Sequence, residues 1–307
     1  MTIQQMEYIV AVDQYRHFVR AAEACGVSQS TLSTLVRKLE EELDTVIFNR
    51  DVHPVRPTQA GEKIISQARI ILYNTEQLRE LAVNERISAS GDVKIAVLPT
   101  LAGYIVPKFF KKMKCVNPKL RLHIHELQTS EILERLSRAE IDVAIMATPL
   151  EQSNLLEIPL YYEKFAAYVS PQDPLYSVER IDVGKIPADR LWVLKEGHCL
   201  RGQVMSLCDR SEYDSVYEAG SIDTLVNIVD ENGGCAVIPE LHIDLLRKEQ
   251  RDNIRTFASP EPVREVSMVV RTDYVRERVL NDVSKVVQSI IPKRMLDPRL
   301  KKFAIRL

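Results

Sequence analysis

The sequence lacks an excess of charge of either sign and a membrane-spanning run, and we expect no leader peptide from the pattern of its first residues. Its 307 residues carry a formal net charge of only −2 at pH 7, so the overall charge indicates neither a nucleic-acid partner nor a membrane partner. No apolar run approaches the roughly 20 residues that a membrane helix needs. The first residues, MTIQQMEYIV, lack the basic and apolar regions of a signal peptide. We therefore expect a cytoplasmic protein with no membrane partner.

Cysteine is also scarce. The chain has five cysteines, and an odd number without short spacings excludes a structural disulfide framework. A disulfide in the reducing cytoplasm is more often transient and regulatory than architectural. His198, Cys199 and Cys208 lack a second close pair of ligands, so we expect neither a metal site nor a cofactor.

Residues 1–57 have the pattern of a winged helix-turn-helix. Gly26 predicts a tight turn, and Ser28 can cap the helix that follows. The apolar residues of this second helix have the spacing of one buried stripe; they are Leu32, Val36, Leu39 and Leu43. Two prolines in IFNRDVHPVRPT predict a hairpin turn. Hydroxyls and cations on the opposite face of the helix can reach base edges and phosphates in a major groove. The predicted DNA-binding residues are Gln29, Ser30, Ser33, Thr34, Arg37 and Lys38 on the helix, and Arg50 and Arg56 in the wing.

Total charge argues against a DNA partner for this segment. Residues 1–60 contain six Lys and Arg but eight Asp and Glu, and helical hairpins also occur as plain packing units. The distribution of charge favours DNA, because the cations lie in or just after the second helix whereas three glutamates lie at its far end. We predict a DNA-binding domain, and a packing unit is the alternative.

Residues 58–87 predict a long linker helix. It opens on Thr58 as an N-cap and contains no proline. Six residues at alternating spacings of four and three form a narrow seam, which is typical of two paired helices. The predicted dimer seam consists of Ile64, Ala68, Ile71, Thr75, Leu78 and Ala82. A helix packed against its own domain is the alternative.

Strands and helices alternate from Asp92 onward. DVKIAVLP, RLHIHELQ and DVAIMA predict strands with helices between them, which is the pattern of parallel βαβ units. Ligand groups in such a fold lie at the carboxyl ends of strands, here at Thr100 and Thr129. We predict a regulatory domain over 88–307, with lobe I at about 88–162 and 268–307 and lobe II at about 163–267.

Two cysteines lie nine positions apart in EGHCLRGQVMSLC, which reads as one short helix. A rise of about 1.5 Å per residue separates the Cα atoms of Cys199 and Cys208 by roughly 13 Å, whereas a disulfide tolerates at most about 7 Å. The two thiols can therefore bond only if the helix unwinds. The stretch is either a pair of unrelated thiols or a switch.

The thiolate is the reacting species in thiol oxidation. Cys199 follows Gly197 at the start of the predicted helix, where backbone N–H groups and the positive helix end favour the anion. Arg201 adds a cation in the same turn, and His198 can donate a hydrogen bond. We therefore expect this environment to lower the pKa of the Cys199 thiol.

The stretch FVRAAEACGVSQSTLSTLVRKLEEEL, with FNR and TQAG after it, resembles the DNA-binding domain of LysR-type transcriptional regulators. The resemblance extends from residue 1 to about residue 300. It implies an α/β fold class with an N-terminal winged helix-turn-helix, a long linker helix and a two-lobed, periplasmic-binding-protein-like α/β effector domain. GHCLR followed by Cys208, with PT at Thr100 and QT at Thr129, is similar to the members that sense hydrogen peroxide. Those members usually carry an aspartate where this chain has Gly202.

The resemblance implies a redox-regulated transcription factor that activates antioxidant genes. In that interpretation Cys199 reacts with peroxide and Cys208 resolves the product into a reversible disulfide. The implied peroxide pocket consists of Thr100, Thr129, His198 and Arg201. The implied partners are double-stranded promoter DNA, further copies of the chain in a dimer or homotetramer, hydrogen peroxide as signal, RNA polymerase, and a dithiol reductant such as a glutaredoxin or thioredoxin.

Two other functions compete with this interpretation. A regulator of the same family could bind a small metabolite in the cleft between the lobes, with the cysteines incidental. A thiol peroxidase would use the same thiol chemistry, but an enzyme needs neither a helix-turn-helix nor a paired helix. We therefore expect no enzymatic activity.

Overall fold

The structure, a computed structural model, describes residues 1–84, 91–150, 152–207 and 218–305. The chain divides into two compact units, one formed by Met1–Ser88 with Ser137–Glu140 and the other by Ala89–Leu136 with Ile141–Leu307. None of the helices described is long and apolar enough to cross a membrane.

The first unit begins with three helices, α1 (Ile3–Tyr15), α2 (Phe18–Ala24) and α3 (Gln29–Glu42). Ser28 caps α3 as predicted, because its side chain accepts a hydrogen bond of 3.2 Å from the N–H of Thr31. Gly26 has φ +67°, and a Cβ added there would meet nothing within 4 Å. The turn therefore favours glycine for its backbone conformation and not for lack of space.

The buried stripe of α3 is shorter than predicted. Leu32, Val36 and Leu39 are buried in the core of the unit. Leu43 is 36% exposed, because α3 ends one residue earlier and Leu43 is its C-cap. The predicted stripe is therefore wrong at its last position.

The wing forms as predicted, with β1 (Phe48–Asn49) antiparallel to β2 (Arg56–Pro57). Glu40, near the end of α3, joins the wing to this helix. Its Oε1 accepts from the backbone N–H of Ile47 at 2.8 Å, and its Oε2 accepts from Arg50 at 2.6 Å.

The long helix α4 (Gln59–Asn84) begins at the predicted N-cap, where the Thr58 hydroxyl accepts from the N–H of Gly61 at 2.9 Å. Ala68 is only 3% exposed and belongs to the core of its own unit. It therefore has little surface left for a second chain. Leu78, further along, is 68% exposed.

The second unit opens with the predicted βαβαβ pattern: β3 (Gly91–Val97), α5 (Pro99–Val116), β4 (Leu120–Glu126), α6 (Thr129–Ser137) and β5 (Val143–Thr148). Strand β3 pairs in parallel with both β4 and β5. The helices α5 and α6 therefore both begin at the carboxyl edge of this sheet, where ligands bind in folds of this kind.

The remaining strands complete one branched sheet, and further α-helices lie between them along the chain. They are β6 (Leu155–Val169), β7 (Arg180–Ile181), β8 (Leu191–Trp192), α7 (Cys199–Leu207), α8 (Ile222–Asn232), β9 (Cys235–Pro239), β10 (Ile254–Phe257), β11 (Val263–Arg271) and α9 (Glu277–Ile290). The strand order is β4-β3-β5-β11-β6-β10-β7, with β9 pairing to β6 and β8. Strands β6 and β11 are long and antiparallel, and the predicted lobe borders fall inside both of them. The predicted lobes are therefore joined by two continuous strands.

Candidate functional site

Cys199 is the first residue of α7 and is partly exposed. The chain reaches it through Gly197, which has φ +93°, and a Cβ there would lie 2.5 Å from the Gln128 side chain. A glycine is therefore required for this approach. Thr100 lies in the first turn of α5 and Thr129 is the first residue of α6. Both hydroxyls act on the pKa of the Cys199 thiol, so the structure brings these three predicted residues together.

A buried ion pair lies beside this group. Arg264 and Glu163 are opposite each other on β11 and β6, and both are 0% exposed. Arg264 Nε donates to Glu163 Oε2 at 2.8 Å, and Arg264 Nη1 donates to Thr100 Oγ1 at 3.2 Å. The second carboxylate oxygen of Glu163 accepts from the N–H of Leu241 at 2.8 Å. Glu163, which is buried together with Arg264, therefore holds the guanidinium beside Thr100.

Sequence reasoning missed both members of this pair. Each is a charged residue inside an otherwise apolar strand, in YEKFAAYV for Glu163 and VREVSMVV for Arg264. Charges in buried strands are almost always paired, which is the signal that could have found them. The partner of each could not be read from the sequence, because about one hundred residues separate them.

Burial raises the pKa of the Cys199 thiol. Four groups act against burial: the charge of Arg264, the backbone N–H of Leu200, and the hydroxyls of Thr100 and Thr129. The net direction is upward, so the expected lowering of this pKa is wrong for the resting site. The physical reason is that removing the thiolate from water outweighs the groups that stabilise it.

Arg201 does not act as the predicted cation. Its guanidinium pairs with Glu218 and also donates to the carbonyl of Leu194 at 3.5 Å. The groups that lower the thiol pKa include Arg264 and not Arg201. The cation at this site therefore comes from a distant strand and not from the same turn.

His198 is 7% exposed, and its buried Nε2 has no hydrogen-bond partner among the residues described. Burial, aided by the charge of Lys195, lowers the pKa of this imidazole, which favours its neutral form. His198 lines both a small pocket of about 70 Å³ and an open cleft of about 760 Å³. The Thr129 hydroxyl is also buried, and it acts on the Cys199 thiol. The Nε2 of His198 is thus a polar atom beside the thiol that is available to a ligand.

The helix that carries Cys199 contains two destabilising features. Gly202 lies in its middle, where glycine costs about 1 kcal/mol relative to alanine. Gln203 is fully buried, and neither of its amide atoms has a partner among the described residues. An unpaired buried polar group costs roughly 1–3 kcal/mol. The glycine at position 202 therefore lowers the stability of α7 relative to alanine at the same position.

Cys208 lies outside the described residues. Helix α7 is continuous to Leu207, and at about 1.5 Å per residue its ends are roughly 12 Å apart. The predicted helix after Cys199 is therefore confirmed as far as Leu207.

The predicted DNA-binding face of α3 is largely exposed to solvent. Exposed residues on it are Gln29, Ser30, Thr34, Arg37 and Lys38, while Ser33 is half-buried. Arg56 in the wing is also exposed. Arg50 differs, because its guanidinium pairs with Glu40 and lies 5.5 Å from the Phe18 ring centroid. It therefore joins the wing to the helices.

The predicted dimer seam on α4 is exposed only in part. Ile64 and Ile71 pack partly against the core of their own unit, and Thr75 is half-buried. The side chain of Ala82 lies outside what the structure describes. The largest free apolar surface of the predicted seam within the described side chains is that of Leu78.

Oxidation of Cys199 is expected to accelerate by about tenfold for each pH unit from pH 6 to pH 8, because a thiol with a raised pKa gains thiolate in that proportion below its pKa. Stopped-flow measurement of sulfenic acid formation under excess hydrogen peroxide checks this. This dependence of the oxidation rate on pH should come from Cys199 alone and should be absent in Cys199→Ser. A rate that stays constant across the range would mean that the thiol is already ionised at pH 6.

Two protein-family models match the chain. Residues 3–62 match the bacterial regulatory helix-turn-helix protein of the lysR family, and residues 87–289 match the LysR substrate binding domain. Together they cover more than half of the chain and confirm the predicted fold class.

Relatives and solved structures agree with these matches. The chain is 35% identical over 301 residues to a hydrogen peroxide-inducible genes activator of Haemophilus influenzae. The matched region covers 95% of this chain and 99% of that protein. A full-length cysteine-to-aspartate variant of OxyR from Pseudomonas aeruginosa superposes with TM-score 0.84 at 31% identity, over 97% of this chain and 98% of that one. A cysteine-to-serine variant of OxyR from Corynebacterium glutamicum with hydrogen peroxide bound has TM-score 0.61 and 29% identity, over 94% of both chains.

Proposed function

Because the chain belongs to the LysR family of bacterial helix-turn-helix regulatory proteins, we propose that it is a transcription factor that senses hydrogen peroxide and activates antioxidant genes. The observation that carries this proposal is the position of Cys199, where Thr100, Thr129 and Arg264 all favour the thiolate. A relative is named a hydrogen peroxide-inducible genes activator, and a similar structure holds hydrogen peroxide. These observations favour a peroxide signal over a metabolite.

The first step takes place at the Cys199 sulfur. The thiolate attacks one oxygen of hydrogen peroxide, an S–O bond forms as the O–O bond breaks, and the leaving hydroxide takes a proton to become water. Sulfur is oxidised by two electrons to a sulfenic acid. Thr100 Oγ1 accepts from Arg264, so its single hydroxyl proton is left for the Cys199 sulfur, where it stabilises the attacking thiolate. The Thr129 hydroxyl and the His198 imidazole complete the polar surroundings.

The second step couples oxidation to shape. Cys208 condenses with the sulfenic acid to a disulfide, and water leaves. The Cα atoms of Cys199 and Leu207 are roughly 12 Å apart along α7, and Cys208 follows Leu207 directly in the sequence. A disulfide tolerates at most about 7 Å between its Cα atoms, so α7 must unwind. Leu200 and Val204 are buried on this helix, and exposing a large apolar side chain costs roughly 1.5–3 kcal/mol. The glycine at position 202 offsets part of that cost, because glycine in a helix interior costs about 1 kcal/mol relative to alanine.

This change of shape alters how the protein binds promoter DNA. The exposed face of α3 enters the major groove of double-stranded promoter DNA. The predicted seam on α4 pairs with a second copy of the chain, chiefly through the exposed side chain of Leu78, and two such pairs form a tetramer. RNA polymerase responds to the bound protein, and a cytoplasmic dithiol reductant such as a glutaredoxin or thioredoxin restores the thiols. Each chain consumes one peroxide per signal and does not act as an enzyme.

Peptide mapping and transcription from a promoter that the protein binds test this function together. One equivalent of hydrogen peroxide should link Cys199 to Cys208 and raise transcription, and Cys199→Ser should abolish both effects. Cys115→Ser, at an exposed thiol on α5, is the matched control and should behave as wild type. A transcriptional response to peroxide that survives in Cys199→Ser would refute the proposal.

Arg37→Ala should weaken promoter binding by about 1–3 kcal/mol and reduce the salt slope by about one. The reason is that Arg37 is an exposed cation on the groove-facing side of α3. Titrations at several salt concentrations measure both quantities. Arg79→Ala, at an exposed arginine paired with Glu76 on α4, is the control. Equal effects of the two substitutions would exclude α3 as the recognition helix.

A further inference from the structure

We propose that protons reach the Cys199 site from solvent through a second histidine, so that His242 and Asp223 act as positioning residues for the peroxide reaction. The proposal rests on the proposed function and adds the source of the proton that the leaving oxygen takes up. Its basis is a pocket of about 70 Å³ that is distinct from the open cleft. Cys199 lines the cleft, His242 lines the pocket, and His198 lines both. The pocket can therefore act on the thiol through His198.

The pocket is large enough and polar enough to hold water. A water molecule takes up about 30 Å³ in the liquid and needs two to four polar partners when it is buried, so the pocket has room for about two. Its polar walls include the two imidazoles, the Ser221 hydroxyl and the Glu163 carboxylate. A carboxylate has about four acceptor positions, more than Arg264 and the N–H of Leu241 use. Water in the pocket can therefore link the two imidazoles.

His198 offers this water a free ring nitrogen. Its Nε2 is buried and has no hydrogen-bond partner among the residues that the structure describes. Burial lowers the pKa of the imidazole and so favours its neutral form, which carries an N–H donor on one nitrogen and an acceptor on the other. The ring can therefore release a proton from one nitrogen while it takes up a proton at the other.

His242 connects the pocket to solvent. It lies in the 3₁₀ helix Glu240–Leu245 and is only 8% exposed. Its Nε2 lies 3.4 Å from Oδ1 of Asp223, whose side chain is 79% exposed. This separation is longer than the 2.7–3.2 Å of most N–H···O hydrogen bonds, so the carboxylate attracts a proton on this nitrogen without holding it tightly. Burial lowers the pKa of His242, and Asp223 acts in the opposite direction. His242 can thus take up a proton on the solvent side and pass it inward.

The other charges of the pocket favour the passage of a proton over its storage. Among the described residues, the titratable groups that line the pocket beside the two histidines are Asp223, Glu163, Arg264 and Tyr104. Glu163 and Arg264 pair with each other. The charge of Arg264 also lowers the pKa of His242, because it repels an imidazolium. A proton that His242 takes up is therefore passed on to a stronger base, which during the reaction is the leaving hydroxide.

The relay leaves every residue on this path in its starting form. As the Cys199 thiolate attacks, the O–O bond breaks and the departing oxygen takes a proton from one ring nitrogen of His198. Water in the pocket returns a proton to the other nitrogen, His242 returns one to this water, and solvent beside Asp223 restores His242. Each hydrogen peroxide therefore takes one proton from solvent and yields one water molecule, and both electrons come from the sulfur.

The test compares two reactions of Cys199 in the full-length protein with Cys208→Ser, which stops oxidation at the sulfenic acid. Hydrogen peroxide releases an oxygen that needs a proton, whereas iodoacetamide releases iodide, which needs none. His242→Gln should lower the rate constant for peroxide at pH 7 by about tenfold or more, because a positioned proton donor contributes typically 10²–10⁴-fold and water in the open cleft replaces part of it. The rate constant for iodoacetamide should change by less than about twofold, because the groups that act on the thiol are retained.

Further variants make this result specific. Asp223→Asn, at an exposed carboxylate, should lower the peroxide rate constant by a smaller factor, and it tests the relay if His242→Gln does not fold. His123→Gln, at an exposed histidine on β4 that pairs with Asp92, is the matched control and should react as the parent protein does. Added imidazole, which can enter the open cleft, should restore part of the peroxide rate in His242→Gln.

Peroxide and iodoacetamide rate constants that fall together in His242→Gln would overturn the inference, because the substitution would then act on the thiol and not on the proton. Unchanged peroxide rate constants in both His242→Gln and Asp223→Asn would also overturn it, since water in the cleft would then supply the proton. Failure of Cys199 in the parent protein to react with hydrogen peroxide would instead refute the proposed function.

Discussion

Arg264→Gln combined with Glu163→Gln is expected to slow the reaction of Cys199 with hydrogen peroxide by roughly 10- to 1000-fold at pH 7. Arg264 is the strongest of the groups that lower the Cys199 pKa. Without its charge, burial raises that pKa with only an N–H group and two hydroxyls acting against it. The measurement is the rate of sulfenic acid formation at Cys199 under excess peroxide.

The double substitution is needed because the two side chains are fully buried together. Arg264→Gln alone would leave Glu163 as an unpaired buried carboxylate, which costs about 3–5 kcal/mol. Glutamine matches the volume of Glu163, is smaller than Arg264 and carries no charge, so the double variant leaves no unpaired buried charge. Glu163→Gln alone leaves Arg264 as an unpaired buried cation at a similar cost, so it is compared only if it stays folded. A folded Glu163→Gln protein should react at least as fast as wild type because the charge of Arg264 stays in place. A folded double variant with the wild-type rate would show that Arg264 does not activate the thiol.

Cys208→Ser is expected to leave the oxidation of Cys199 intact and to abolish promoter activation. Cys199 should still consume one equivalent of hydrogen peroxide at nearly the wild-type rate, because the groups that act on its thiol are all retained. The sulfenic acid then has no resolving thiol, so α7 has no reason to unwind and promoter activation should be lost. The two readouts are sulfenic acid content by mass spectrometry and transcription from the bound promoter.

Matched substitutions of the other cysteines make this result specific. Cys115→Ser removes an exposed thiol and Cys25→Ser a partly buried thiol in the first unit, and both should respond as wild type. Peroxide activation that persists in Cys208→Ser would mean that the sulfenic acid alone is the signal. Loss of the Cys199 reaction itself would mean that Cys208 acts before the first step.

The parts of the fold that depend on nearby residues were predictable. Ser28 and Gly26 mark the turn of the helix-turn-helix because a cap and a positive φ are local requirements. The βαβαβ order of the second unit followed from alternating strand and helix patterns, as the parallel pairing of β3 with β4 and β5 confirms. The predicted burial of Leu43 is wrong because the spacing of apolar residues does not show where a helix ends.

The parts of the site that depend on distant residues were not predictable. Arg201 lies two positions after Cys199, which makes it the cation that the sequence predicts, yet it pairs with Glu218. Arg264 lies sixty-five positions after Cys199 and reaches it only because β11 and β6 place Arg264 and Glu163 opposite each other. Burial of the thiol, which reverses the expected direction of its pKa, also arises from tertiary packing.

Amide hydrogen exchange over residues 199–207, combined with peptide mapping of the Cys199–Cys208 linkage, tests the central claim most directly. The claim is that a thiol held at the start of α7 by Arg264, Thr100 and Thr129 cannot join its partner while that helix is intact. The reduced protein should protect the amides of α7, and protection should be lost in proportion to the fraction of linked peptide after peroxide treatment. A fully linked protein with the α7 amides still protected would contradict the account.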